Sequence, residues 1–332
     1  MTIPRSLSLA LIVFLLSGAA VAAPASETIH RPTVSSTDID HFWDAYDEAL
    51  TTDDPARQVQ ILQRRYIDRG TAGLKAFMAV KGYTAQSYVD AIRAYPRYWT
   101  SVRPHTLRAR SAIAELEPEL RKFQTLYPRL RPAAIYIAIG ALKSSGTTQD
   151  DKVLIGAELA TGDDSVDTSD MPPKMRDWLA TYFRSRPFET MSLLAMHEFV
   201  HTQQRGPGST LLGQALYEGV ADFVAERVTG RKPQLPYVEY GPANETAIKA
   251  AFVQQMDGEN TDGWLYNDTD NAFKVRDLGY YVGYAICDAY YRKAADKTAA
   301  IAGMIELEFT DPKAVKAFVD SSAYFAPARG GD

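Results

Sequence analysis

The sequence predicts an α+β protein that is predominantly helical, and three features carry the expectation. Apolar residues recur at helical spacing through the N-terminal and C-terminal parts, two short β-branched runs lie between Ala133 and Leu159, and Gly-, Pro- and Asn-rich stretches punctuate the segments. With 332 residues, 46% hydrophobic and 23% charged, the chain has the balance of a folded protein with a sizeable core. Its net charge of −5, with no block of Lys and Arg, offers nothing to neutralise a phosphate backbone, so nucleic acid is not an expected partner.

The first element is an export signal, expected over residues 1–22. Arg5 supplies a short positive region, Leu7 to Leu16 an apolar run too short to span a bilayer, and Ala20 and Ala22 an A-x-A cleavage site. No cysteine stands near that site to accept a lipid. The mature protein is therefore expected in a bacterial periplasm or outside the cell, with no stable membrane anchor after cleavage. Cys287, the single cysteine, can form no intramolecular disulfide and falls in an apolar helical pattern, where a buried structural role is expected.

Residues 23–130 read as a helical region. Phe42, Trp43, Tyr46 and Leu50 recur near helical spacing, with Asp38 and Asp40 as candidate caps. Similar segments follow at Val59–Tyr66, Leu74–Val80, Ala85–Ala94 and Leu107–Leu126, separated by Gly70, Gly82, Pro96 and Pro104. After Pro132 the texture changes: Ala133–Ile139 and Lys152–Leu159 are expected to form two strands of one sheet, joined by a polar connection through Lys143–Thr148. A helix is expected from Pro187 to about Gln204, stopped by Gly206-Pro207-Gly208, and Ser209 is expected to cap a second that ends before Gly230. The short connection makes the two an antiparallel hairpin. Pro233 to Asp270 reads as a long loop around a middle helical stretch, and helices close the chain near Leu278–Lys293, Ala295–Glu308 and from Pro312.

The chemistry concentrates on the hairpin. Met196-His197-Glu198-Phe199-Val200-His201 contains H-E-x-x-H, and residues four apart lie one turn apart on one helix face, so both imidazoles can reach one ion. Glu198, beside them, is placed to take a proton from a water that the ion activates. A catalytic zinc needs a third protein ligand and one open position. Glu218 lies about 12–13 Å along the returning helix, near the level of histidines about 6–12 Å from the turn, and so is the expected third ligand. Asp222, one turn further on the same face, is expected to accept the other ring N–H of a bound histidine. Gly219, costly inside a helix, suggests a close approach between the two hairpin helices. The expected cofactor is Zn2+, because two histidines and a glutamate with one open position suit catalytic zinc better than iron or copper.

These residues resemble the gluzincin metallopeptidases of the zincin fold: His197-Glu198-x-x-His201, followed by a glutamate in Glu218-Gly219-x-Ala221-Asp222. More closely, the chain is similar to a bacterial family of predicted zinc-dependent proteases, catalogued as a domain of unknown function. That likeness also takes in His201-x-x-Gln204, Leu216-x-Glu218-Gly219-x-Ala221-Asp222-Phe223 and Tyr281-x-Gly283-Tyr284. The resemblance implies a zincin-like core with a small sheet, an HExxH helix and a glutamate helix, so residues 131–332 are expected to form a metallohydrolase region with C-terminal helices. In such proteases an edge strand pairs with extended substrate; Val153–Leu159 is a candidate for it and equally for an internal strand. Gluzincins often use Tyr or His to stabilise the oxyanion, and Gly279-Tyr280-Tyr281-Val282-Gly283-Tyr284 offers Tyr284, with Tyr280 on the same face as second choice. Arg276 and Asp277 open that helix, as a salt bridge or cap, or as a site for a substrate carboxylate.

The expected function is a zinc-dependent hydrolase, a peptidase acting on a peptide or protein substrate with Glu198 as general base. Two other readings stay open at this level. One is an exported binding or envelope-assembly protein that keeps the fold without hydrolysis, against which the intact Glu198 speaks; the other is hydrolysis of a non-peptide amide. Oligomeric state is not legible in the sequence.

Overall fold

The aromatic residues that set the N-terminal helical periodicity meet in one cluster. Helices α1 (Thr37–Ala49), α2 (Pro55–Leu62), α3 (Ala72–Lys81) and α4 (Ala85–Ala94) belong to the computed structural model, which describes residues 33–326; the expected signal segment lies outside the described residues. Phe42 packs against Trp43, Tyr66 and Trp99 with ring centroids 5.0, 5.3 and 5.2 Å apart. Asp54, Thr71 and Thr84 cap α2, α3 and α4 by accepting from backbone N–H groups in the first turn. Asp38 and Asp40 do not cap α1, which begins at Thr37; the Asp38 carboxylate instead accepts from Thr71 N at 3.0 Å, tying α1 to the start of α3.

Helix α5 (Pro96–Leu126) runs for 31 residues through Pro118 and straight through Pro104, where the sequence pattern suggests a break. A proline removes one helical hydrogen bond. Here buried Tyr98, Trp99 and Val102 before Pro104, and Thr106 and Ala109 after it, hold both halves against the same core. Trp43 Nε1 donates to Thr106 Oγ1 at 2.9 Å across that seam.

The sheet has four strands, β1 (Thr33–Ser35), β2 (Ala134–Ala138), β3 (Gly146–Gln149) and β4 (Lys152–Gly156), in the order β1-β2-β4-β3. The first three in that order are parallel, and β3 is antiparallel to β4, with Gly146 opposite Ile155 and Gln149 opposite Lys152. β2 and β4 match the two expected strands, but β4 stops at Gly156 and passes into one helical turn, α6 (Ala157–Ala160). Val153, Leu154 and Ile155 are all buried, as in a strand covered on both faces. So β4 is an internal strand, and the edge beside it is β3, which overlaps the stretch that reads as a polar connection. A tight turn with Asp150 in the left-handed region (φ 53°) joins β3 to β4. Glu158, fully buried in α6, accepts from Gly140 N at 2.8 Å and Leu142 N at 3.2 Å and so anchors the loop entering β3. Burial pushes its carboxyl up to about 7 while those backbone donors pull it down.

The remaining helices are α7 (Pro173–Arg184), α8 (Met191–Gln203), α9 (Leu211–Thr229), α10 (Pro236–Ala243), α11 (Glu245–Val253), α12 (Leu278–Lys293), α13 (Lys297–Ile305) and α14 (Pro312–Ser322). Pro187 opens a short 3-10 turn to Thr190, and α8 proper begins at Met191. Thr210, not Ser209, caps α9, accepting from Gly213 N at 3.1 Å, and Gly230 ends the helix in the left-handed conformation. α8 and α9 are buried almost all round, which marks them as core helices. α5 packs on α8, where Phe123 and Phe199 lie 5.8 Å apart. The close approach suggested by Gly219 is real but lies between α9 and α12: a Cβ on Gly219 would fall 2.2 Å from Gly283 C, and one on Gly283 only 1.8 Å from Ala215 O. Among the described residues no helix is long and apolar enough to cross a membrane.

Candidate metal centre

His197 and His201 stand one turn apart on α8, with ring centroids 4.7 Å apart and their planes nearly perpendicular. Their Nε2 atoms are 3.1 Å apart, and Glu218 Oε2, from α9, lies 3.3 Å from each. Tetrahedral ligands at 2.0–2.1 Å from an ion are separated by about 3.3–3.4 Å, so the triangle matches the zinc dimension. These three residues could hold a metal ion.

Hydrogen bonds orient each ligand. Asp222 Oδ1 lies 2.8 Å from His197 Nδ1, and Gln204 Oε1 lies 2.6 Å from His201 Nδ1. The Gln204 amide is oriented by its own Nε2, which donates to Tyr217 O at 2.9 Å. Both Nδ1 atoms therefore carry the proton, and both Nε2 lone pairs face inward. Glu218 Oε1 accepts from Tyr266 Oη at 2.5 Å, and Gln214 Nε2 donates to that same hydroxyl at 2.5 Å, which leaves Oε2 to face the histidines. Two lone pairs and a carboxylate oxygen converging within 3.3 Å form a seat for positive charge, whether a metal ion or, without one, a proton.

The electrostatics agree. Burial works against a charged His197, but its hydrogen bonds to Asp222 and Glu218 outweigh it and hold the ring's pKa well above the usual histidine value. Burial likewise opposes the Glu218 carboxylate, yet the two histidines hold its pKa well below the ordinary range. Glu198 shows the reverse balance: burial raises its pKa, and the nearby histidines offset this only in part.

Tyrosines frame the site. Tyr217 stacks on His201 with centroids 4.3 Å apart, and Tyr280 lies over His197 at 6.3 Å. Tyr237 donates to Asp222 Oδ2 at 2.7 Å and stacks on Tyr280 at 5.7 Å. Beside the histidines opens a cavity of about 250 Å³ lined in part by Gly146, Leu193, Leu194, Glu198, Tyr237 and Tyr280. β3 borders it, since a Cβ on Gly146 would meet Leu194 Cδ1 at 3.0 Å and Glu198 Oε1 at 3.1 Å.

Residues 179–310 match a family model described as "Predicted Zn-dependent protease (DUF2268)". That segment runs from within α7 to just past α13 and carries both histidines, Glu198, Glu218, Asp222, Tyr217, Tyr237, Tyr266 and Tyr280. No curated protein and no solved structure matches the chain.

Of the residues singled out from sequence, the structure brings together His197, Glu198, His201, Glu218 and Asp222. Tyr284 is placed elsewhere: its hydroxyl donates to Glu226 Oε2 at 2.6 Å, and its ring packs on Phe223 at 5.5 Å. Tyr280, the second choice, is the tyrosine of that pair beside His197. Arg276 points its Nε at Asn267 O, 2.6 Å away, and Asp277 lines the cavity. Cys287 is fully buried. Gln204, Tyr217, Tyr237 and Tyr266 had no role assigned from sequence. Only Gln204 carried a signal, its place three residues after His201.

Proposed function

We propose that this protein is a zinc-dependent hydrolase that cleaves peptide bonds. The observation that carries the reading is the triangle of His197 Nε2, His201 Nε2 and Glu218 Oε2, with Glu198 next to it on the cavity side. A zinc ion in that seat supplies Lewis acidity toward a carbonyl and toward water. Glu198 takes the proton of the attacking water at its carboxylate and returns it to the leaving amine, work for which a pKa raised by burial suits it. The Tyr280 ring lies beside His197, which supports Tyr280 as the donor for the developing oxyanion. Asp222 and Gln204 keep the two imidazoles turned with Nε2 inward.

Peptide rather than another amide is favoured by two observations. The edge strand β3 borders the cavity, where an extended chain can add to the sheet by backbone hydrogen bonds, and the matched family carries the name of a protease. The N-terminal pattern of Arg5, Leu7–Leu16 and Ala20-x-Ala22 supports action outside the cytoplasm, in the periplasm or beyond. The test is digestion of a peptide library by zinc-loaded mature protein and by Glu198→Gln, read by mass spectrometry. Cleavage by the wild type, with none by a Glu198→Gln protein that retains about one zinc per chain, is the expected outcome. A wild type that binds no zinc, or a variant that cleaves as well as the wild type, refutes the proposal.

A further inference from the structure

The cavity beside His197 and Glu198 has walls suited to a long side chain. Leu193, Leu194, Pro187, Tyr182 and Tyr237 supply apolar surface. Its ionisable lining is His197, Glu198, Asp222 and Asp277, with no Lys or Arg among it. Three of these four are committed: His197 to the metal seat, Glu198 to the reaction and Asp222 to His197 and Tyr237.

Asp277 is committed at one oxygen only, Oδ2, which faces Arg276. Its Oδ1 is buried without a hydrogen-bond partner, and a buried acceptor left unpaired is destabilising. Burial raises its pKa, and Arg276 followed by the backbone N–H groups of Asn267 and Tyr266 offsets this only in part. Arg276 Nε lies 3.7 Å from Oδ2 and is already hydrogen-bonded to Asn267 O. Asp277 also holds a left-handed backbone (φ 62°), fixed by its N–H donating to Asn267 Oδ1 at 2.8 Å. Residues kept in that region cluster at binding and catalytic sites.

The edge strand sets the direction of a bound chain. β3 runs from Gly146, beside Glu198 and the Asp277 cavity, to Thr148, which with His201 lines a second cavity. Antiparallel pairing, the more stable mode, sends a peptide from the Thr148 end toward Gly146. The residue after the scissile bond then faces the Asp277 cavity.

Resting on the peptidase reading, we infer that this cavity is a specificity pocket for a lysine or arginine side chain at the residue following the scissile bond, with Asp277 as its counter-ion. Methylene stems of such side chains lie readily along apolar walls while the charged head reaches a polar group.

The experiment uses zinc-loaded wild type and Asp277→Asn, with peptides taken from the best-cleaved library sequence and carrying Lys, norleucine or Glu after the scissile bond. The wild type should show kcat/KM for Lys over norleucine higher by at least about tenfold, the factor a hydrogen bond to a charged group commands. In Asp277→Asn the ratio should fall toward one. Asn tolerates the left-handed region, so the backbone at 277 is kept. The wild-type comparison decides even if that variant folds poorly. Cleavage without a basic preference, a basic preference at the preceding residue instead, or a preference that survives Asp277→Asn each overturns the inference and leaves the peptidase reading standing. A wild type that cleaves no peptide overturns both.

Discussion

Asp222→Asn exchanges one carboxylate oxygen for an amide nitrogen at nearly constant volume, so it isolates charge and hydrogen-bond polarity from packing. Asp222 accepts at both oxygens, from His197 Nδ1–H at 2.8 Å and from Tyr237 Oη–H at 2.7 Å. An amide can accept at only one. If its oxygen stays on His197, the ring loses a charged partner; if its nitrogen turns that way, Nδ1 must become the acceptor and the proton moves to Nε2, removing a metal-binding lone pair. Loss of such an outer partner lowers metal affinity about 10–100-fold, or about 1.4–2.8 kcal/mol. The variant should show that loss when metal-free protein is titrated with zinc against a chromophoric chelator at neutral pH. Thermal unfolding of the metal-free form checks that the fold is intact. Affinity within twofold of wild type, in a protein that melts normally, would refute the argument that Asp222 sets the His197 tautomer.

Three further outcomes follow from the same geometry. Tyr266→Phe removes the donor to Glu218 Oε1 and should weaken zinc binding about tenfold; unchanged affinity in the same titration would mean that Glu218 needs no such support. Gly283→Ala forces a methyl into Ala215 O and should destabilise the fold by about 3 kcal/mol, the upper end for overpacking, read as a lower denaturation midpoint; a wild-type midpoint would mean that α9 and α12 separate freely. Because His197 is held above its ordinary pKa, the metal-free ring carries an extra proton at neutral pH, and zinc must displace it. Zinc affinity should therefore rise about tenfold per pH unit from pH 6 and level off once pH passes that raised pKa, whereas a flat response from pH 6 to 8 would show Nε2 already free.

The metal ligands were legible because their geometry is local or nearly so. His197 and His201 need only a helix, and Glu218 needs only a hairpin whose arms have readable lengths. Asp222 follows from its spacing to Glu218. What escaped the sequence depends on tertiary placement. Gly146-Thr147-Thr148-Gln149 has no apolar alternation and becomes a strand by pairing with β4 across the Asp150 turn. Tyr266 and Asp277 lie in a non-periodic loop and both adopt left-handed backbones that no motif announces. Tyr280 and Tyr284 share a helix face, so the pattern could not separate them; the crossing at Gly283 decides which faces His197 and which faces Glu226. Pro104 reads as a break, and the aromatic core on either side of it overrides that local preference.

The contact between Gly219 and Gly283 bears on how this site could be moved or divided. The ligand-bearing hairpin ends at Thr229, yet the backbone it rests against arrives some fifty residues later, and between the two come Tyr237 and Tyr266, which grip Asp222 and Glu218. A peptide spanning α8 and α9 would carry every ligand, with Asp222 and Gln204 beside the histidines, and still lack the two tyrosine hydroxyls that fix Asp222 and Glu218. The smallest transplantable unit therefore extends through α12, and a chimera that takes one helix of the crossing from another protein must take the other with it.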